Sequence, residues 1–442
     1  MKAKEIILLL LIIAGGTLFY HLHTGKLNLD WCLEVEDIIE DIIFQGGKEF
    51  SSAETRTIEP PFPSLLRIDN SHGNVEIKGT EEEKIIISFE KIVRRKTEEK
   101  ARTVAEKIEM LIGKDENKLT ISTNRAELRR TNFETHFRIS VPSSLGVEIR
   151  NAYGLVKVSK VRNTDVSNRH GEVIVSEIGG ELYVKNSYED LKIDGVQSNC
   201  KVESRHSNLF INNILGRLEV KHAYGKVQME NISQDSNISG FHSEIFGQGL
   251  KGGADVETSY KNVSLLDMGP LKILNRHGDI EIEKAKGRVE IKHSYGKIKL
   301  EDIQGDLHVE GKSSALEGRR ILSGKILISS SYENIELMEY EGEVSISLTH
   351  GDLTLEPLAL THSLQVKGTY SNINLIWPRG NKYPFEAMVK GGDIRWKLPQ
   401  PIAFREENQI LIIKAFPEEK EKPSISVSTT YGIISVEEST LR

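Results

Sequence analysis

The chain has 442 residues, 36 glycines, 12 prolines and a formal net charge of -7. That charge argues against a general nucleic-acid binder, which needs a basic face to neutralise phosphates. Two cysteines, Cys32 and Cys200, exclude a disulfide framework and a cysteine-based metal cluster.

Lys2 and Lys4 precede an apolar run from Ile6 to Tyr20, the pattern of an export signal or a short membrane anchor. No small-x-small cleavage site follows Tyr20, and Leu29-Asp30-Trp31-Cys32 is not a lipoprotein box. The expected arrangement is an uncleaved N-terminal membrane anchor over 1–24 with its N-terminus in the cytoplasm. Residues 25–56 follow as a juxtamembrane segment and linker. Within them Val35, Ile38, Ile39, Ile42 and Ile43 share one helical face.

Residues 57–146 are expected to form an entry module. Leu66-Arg67-Ile68-Asp69, Val75-Glu76-Ile77 and the run Ile85 to Phe89 read as strands. Residues 97–112 read as a helix capped by Thr97, with Ala101, Val104, Ile108, Leu111 and Ile112 on its apolar face. A helix there suits the open end of a strand stack, whose unpaired edge invites aggregation.

From residue 147 the chain repeats one short sentence. Asn151-Ala-Tyr-Gly154 leads into Val156 and Val158, and Asn168-Arg-His-Gly171 leads into Val173 and Val175. Ring residues recur at Tyr188, His206, Tyr224, His242, Tyr260, His277, Tyr295, Tyr332, His350 and Tyr370, with Ser314 as a ringless marker. His72-Gly73 is an outlying first copy and Tyr431-Gly432 a last one. Period-2 strands, glycine corners and a step of mostly 18 residues predict an all-β fold, a parallel β-solenoid over 147–378, with 379–442 as C-terminal cap and last repeat.

Tyrosine and histidine alternate, and so do their predecessors: small residues before tyrosine, and Arg169, Arg205 and Arg276 before histidine, with Phe241 as the exception. The superperiod is therefore 36 residues. Either each 18-residue unit is a coil and the rings alternate along one edge, or a 36-residue coil holds both. Two chemically distinct corners favour the 36-residue coil, with tyrosine on tyrosine and histidine on histidine.

Laid out this way, Ser71-His72-Gly73-Asn74-Val75-Glu76-Ile77, Val141-Pro142-Ser143, the repeats and the closing Tyr431-Gly432-Ile433-Ile434-Ser435-Val436 resemble the putative-adhesin β-solenoid family of bacterial envelope proteins (domain of unknown function 4097). The resemblance spans about residues 60–440. It implies an envelope-facing structural or binding role and carries over no catalytic residue. Tyrosine or histidine stands here where many members have Ser or Asn-Gly, so corner chemistry does not transfer.

Tyr153, Tyr188, Tyr224, Tyr260, Tyr295 and Tyr332 are candidate ligand-binding residues for sugar rings, set against a purely structural ladder. His170, His206, His242 and His277 are candidate metal ligands if stacked, though no carboxylate recurs at a fixed offset to complete a site. Asp190, Asp194, Asp279 and Asp306 fall at scattered phases, and no nucleophile, phosphate-loop or zinc-protease motif occurs. The expectation is a non-enzymatic, cofactor-free protein of the bacterial cytoplasmic membrane with its solenoid outside, binding an envelope polysaccharide or a protein. The runner-up is a carbohydrate-active solenoid enzyme.

Overall fold

The computed structural model describes residues 48–439 apart from 129–130, 381, 400–401 and 420–422. The anchor run, the amphipathic segment and Cys32 lie outside the described residues. Among those described, no helix is long and apolar enough to cross a membrane. The chain divides into two compact units.

The smaller unit is built from 89–111 and 123–136 with the residues up to Glu54. Its helix spans Glu98–Glu106, and the Thr97 hydroxyl accepts from the Lys100 N–H. Glu98 and Glu99 lie in the first turn, where acids complement the dipole. The helix is shorter than the expected 97–112. The Asn124 side chain takes the Lys107 carbonyl at 2.8 Å and the Glu109 N–H at 2.9 Å, which ends the helical bonding. Residues Met110–Lys114 are a strand instead, and Leu111 and Ile112 are exposed rather than on a buried face.

The larger unit holds 55–88, 112–122 and 137–442 and is a parallel β-solenoid. Its register answers the question of coil length. Cys200 lies opposite Leu218, and Leu218 opposite Ser236. One coil is therefore one 18-residue unit, and the 36-residue coil is corrected. Each unit already contains both strands, so the chain closes a turn every 18 residues and the alternation runs along one edge. Around the middle of the stack the pairing continues through the ring corner, so Cys200–Ile214, Leu218–Ile232 and Ser236–Leu250 are each one bent strand.

Inward residues form columns. Val202, Val220, Ile238, Val256, Ile273, Ile291 and Val309 occupy one position on successive coils, all buried. Each such side chain contributes roughly 1.5–3 kcal/mol of burial.

Both ends of the stack are built out of chain order. Leu65–Asp69 and Val75–Thr80 lie between Gly146–Arg150 and Val156–Ser159 on one side and Lys118–Thr123 and Phe133–Pro142 on the other. At the far end the closing strands Ile425–Thr430 and Ile433–Glu438 slide between Leu364–Trp377 and the rung Phe385–Lys390 and Asp393–Trp396. The expected cap within 379–442 thus includes a further rung. An antiparallel hairpin, Ala403–Glu407 with Ile410–Ala415, pairs onto that rung. Its outer strand is fully exposed and carries Arg405, Glu406 and Glu407, charges that blunt an edge.

Candidate functional site

The ring corner is a single ladder. Rings stack face to face from His72 through Tyr153, His170, Tyr188, His206, Tyr224, His242, Tyr260 and His277 to Tyr295, with centroids 4.6–5.4 Å apart. A second run joins Tyr332, His350, Tyr370 and Tyr431. Tyr153, Tyr188, Tyr224, Tyr260 and Tyr295 are 45–52% exposed. Inside a run each ring's faces are covered by its neighbours, so Tyr153, Tyr188, Tyr224 and Tyr260 present edges and hydroxyls, whereas a sugar platform needs a bare face; Tyr295 and Tyr332 end their runs beside Ser313 and each stacks on one ring only.

The candidate histidines are separated by tyrosines. His170 and His206 lie two coils apart, roughly 10 Å at the coil rise of a sheet. Two imidazoles on one zinc each bind at about 2.0–2.1 Å. Among the described residues no group of three or more His, Cys, Asp or Glu is placed to hold a metal ion.

The corner demands unusual backbone. Tyr188, His206, Tyr224, His242 and Tyr260 sit in the left-handed region with φ of 53–70°. At Tyr153, His170, His277 and Tyr295 the following glycine takes the positive φ instead. A left-handed non-glycine residue costs on the order of 1–3 kcal/mol, and stacking against two neighbours, about 0.5–1.5 kcal/mol per pair, offsets it.

One rung lacks a ring. Ser313, opposite Tyr295, fills the position, one residue before the Ser314 marked by the spacing. Ser313→His is expected to join the two runs and raise stability by about 1–3 kcal/mol, the value of two stacked pairs. Urea unfolding would check this, and an unchanged midpoint would show that the ladder adds little.

Behind the rings runs a buried polar row. The Asn151 and Asn168 amides donate to corner carbonyls of Gly73, Gly154 and Gly171. The same position is held by Asn186, Ser204, His222, Thr258, Asn275 and His293, all buried. His222 Nε2 meets the Ser207 carbonyl at 3.0 Å and its Nδ1 meets Ser243 Oγ at 2.8 Å. Burial pushes the His222 pKa down to about 4 and lowers that of His293.

The acids that look scattered along the chain have structural partners. Asp190 accepts from the Asn208 N–H of the next coil, Asp279 from Lys297, and Asp306 from Lys325. Asn74, Asn163, Asn199, Asn262 and Asn334 do the same. They tie loop N–H groups that the ladder leaves over. Asp194 takes the Asn213 amide on the surface.

What the sequence reading missed is a groove of about 1060 Å³ where each first strand begins. It runs from Leu65 and Val147 to Glu290. Its floor includes Leu182, Cys200, Leu218 and Leu271, and its walls Glu148, Asp165, Tyr183, Lys201, Arg217 and Glu219. Charges change sign along it: Glu148, Asp165 and Glu181, then Lys201 and Arg217, then Glu219, Asp235 and Asp255, then Lys272 and Arg288. Burial in the groove, and then the Glu148 charge on the adjacent coil, raise the Asp165 pKa. Glu148 is itself paired with Arg150 at 2.9 Å and Arg67 at 3.7 Å. Cys200 in the floor is pushed up to about 12 by burial and is no nucleophile at neutral pH. The signal that would have found the groove is the row of residues five before each ring, but its concavity depends on how the corners fold back.

A family model described as Toastrack DUF4097 matches residues 64–240 and again 260–437. Two solved structures are similar. One is described as "a putative cell adhesion protein from Clostridium sporogenes", 12% identical, with 88% of this chain and 100% of that chain covered, at a TM-score of 0.15. The other is "a putative adhesin" from Bacteroides fragilis, 10% identical, with 88% and 97% covered, at 0.16. No curated protein matches the chain.

Proposed function

This chain belongs to the Toastrack DUF4097 family, and from that premise we propose that it is a non-enzymatic binding or scaffolding protein of the bacterial envelope. The apolar run from Ile6 to Tyr20 holds it in the cytoplasmic membrane, and the solenoid stands outside. Its partner is an extended polymer, an envelope polysaccharide in the first place and a protein in the second. Nucleic acid is disfavoured by the net charge of -7. No cofactor enters this reading.

One observation carries it. Outward side chains repeat in straight rows at the coil rise of about 4.8 Å, and the groove extends such a row from Glu148 to Glu290. A repeating ligand can meet the same kind of group coil after coil, so weak contacts add. The second reading, a carbohydrate-active enzyme, has the Glu148 and Asp165 pair in its favour, one carboxyl raised in pKa and the other held between arginines.

The test is co-sedimentation of the full chain in detergent with purified cell-wall and envelope polysaccharide, with and without chelator. Retention that survives chelator, with no new reducing ends, is expected. Reducing ends lost in Asp165→Asn would establish the enzyme instead. Loss with chelator would return attention to the histidines, and no retention at all would move the weight to a protein partner.

A further inference from the structure

We propose that the row of outward residues immediately before the rings is a track for an acidic linear polysaccharide carrying one carboxylate per disaccharide. This rests on the polymer-binding reading above and names both the ligand class and the face, which is not the groove.

The row is the third outward position of each first strand. Register places Ser187, Arg205, Ala223, Phe241 and Ser259 side by side on successive coils. Cations stand on alternate coils at Arg169, Arg205, Arg276 and Lys312, and Phe241 takes the alternate coil between Arg205 and Arg276. The coils between carry Ser187, Ala223, Ser259 and Ser294, which are too short to obstruct an occupant. All four cations are exposed, and among the described residues no ion pair or side-chain hydrogen bond engages them. One row further from the rings, Lys221 is paired with Glu219 and Lys292 with Glu310. From residue 152 to residue 312 the cation row contains no acid.

Spacing selects the ligand. Two coils are about 9.6 Å, twice the rise of a parallel stack, and close to the length of a disaccharide in an extended glycan. Phe241 is 51% exposed and stands perpendicular to the rings of Tyr224 and His242, so it can meet a sugar's C–H face. A denser polyanion such as nucleic acid would set phosphates against the uncharged coils and against Glu203, Glu257 and Glu310 in the next row. Guanidinium groups bind carboxylates bidentately. A single exposed pair is weak, so affinity here comes from several in series.

The experiment uses the full chain in detergent and four probes: hyaluronan, the same polymer with its carboxylates reduced, neutral envelope polysaccharide, and single-stranded poly-dT. Wild type is expected to retain hyaluronan at low salt and to ignore the reduced polymer and poly-dT. Each Arg→Gln change should weaken binding up to about five-fold, and the combined Arg169→Gln, Arg205→Gln, Arg276→Gln, Lys312→Gln chain roughly a hundred-fold. The control, Lys221→Gln with Lys292→Gln, removes paired charges and should bind as wild type. Thermal melting of each variant shows that it is folded. Equal hyaluronan retention by the combined variant, or poly-dT bound as tightly as hyaluronan, overturns the track. Retention of neutral envelope polysaccharide alone overturns the track and leaves the polymer-binding reading standing, whereas retention of no polymer overturns both.

Discussion

Acidification from pH 6.5 to about 4 is expected to cost the solenoid about 3 kcal/mol through His222 alone. The ring lies in the buried row behind the corner, and burial is the main reason its pKa falls to about 4, opposed by the Ser207 carbonyl bond and helped by His206. A carbonyl only accepts, so Nε2 donates to Ser207 and the neutral ring's Nδ1 is an acceptor, which shares the one Ser243 hydroxyl proton with the Phe241 carbonyl at 3.1 Å. Protonation puts a charge where no carboxylate is bonded to it. The unfolded chain takes up that proton near pH 6.5 and the folded chain only near 4. Between those values the unfolded state holds more protons, so stability falls as pH falls; above 6.5 the effect is absent and below 4 it is complete. A shift of about 2.5 units at 1.36 kcal/mol each sets the size. His293, lowered in the same direction by burial, adds to the trend. Urea unfolding at several pH values would measure it. His222→Asn places here the residue found at Asn168, Asn186 and Asn275, and should flatten the acid limb by about that amount. An acid limb of unchanged slope in the variant would sink the assignment.

Gly79→Ala is expected to cost more than about 4 kcal/mol or to open the first coils. Gly79 lies in the strand Val75–Thr80, opposite Val141. A β-carbon there would stand 1.6 Å from the Lys160 carbonyl oxygen and 3.2 Å from the Ser143 α-carbon. Its φ is not in the left-handed region, so the requirement is space and not conformational freedom. Lys160 is held at φ 58° as the corner of the next coil and cannot easily retreat. Gly113 is the control, because a β-carbon there meets nothing within 4 Å. Gly113→Ala should change stability by less than about 0.5 kcal/mol. Thermal melting separates the two, and a Gly79→Ala chain that melts with wild type would show that the coils are looser than this contact allows.

The sequence by itself determined the repeat, the strand positions and the core. Every coil must send its side chains in and out in the same phase, so Val202, Val220 and Ile238 recur at one spacing and any reader can see them. His72 and Tyr431 were legible as outlying copies for the same reason, and the ladder receives both rings.

Tertiary structure alone decided the rest. Alternation of tyrosine and histidine is compatible with closure after 18 or 36 residues, and only the backbone register of Cys200 on Leu218 distinguishes them. That register turned two expected ladders into one, covered both faces of Tyr153, Tyr188, Tyr224 and Tyr260, and drew the histidines apart. Asp190, Asp279 and Asp306 looked scattered because the first two follow a ring by two residues while Asp306 stands at the other corner, before Leu307, and because their partners are backbone N–H groups one coil away, which carry no sequence signal. The helix stopped early because Asn124, seventeen residues beyond Lys107, captured its last carbonyl. The closing strands entered the stack between two earlier rungs because parallel pairing rewards any edge that matches in pattern, not the edge nearest in the chain. The groove and the cation row are surfaces, and a surface exists only once coils are laid side by side.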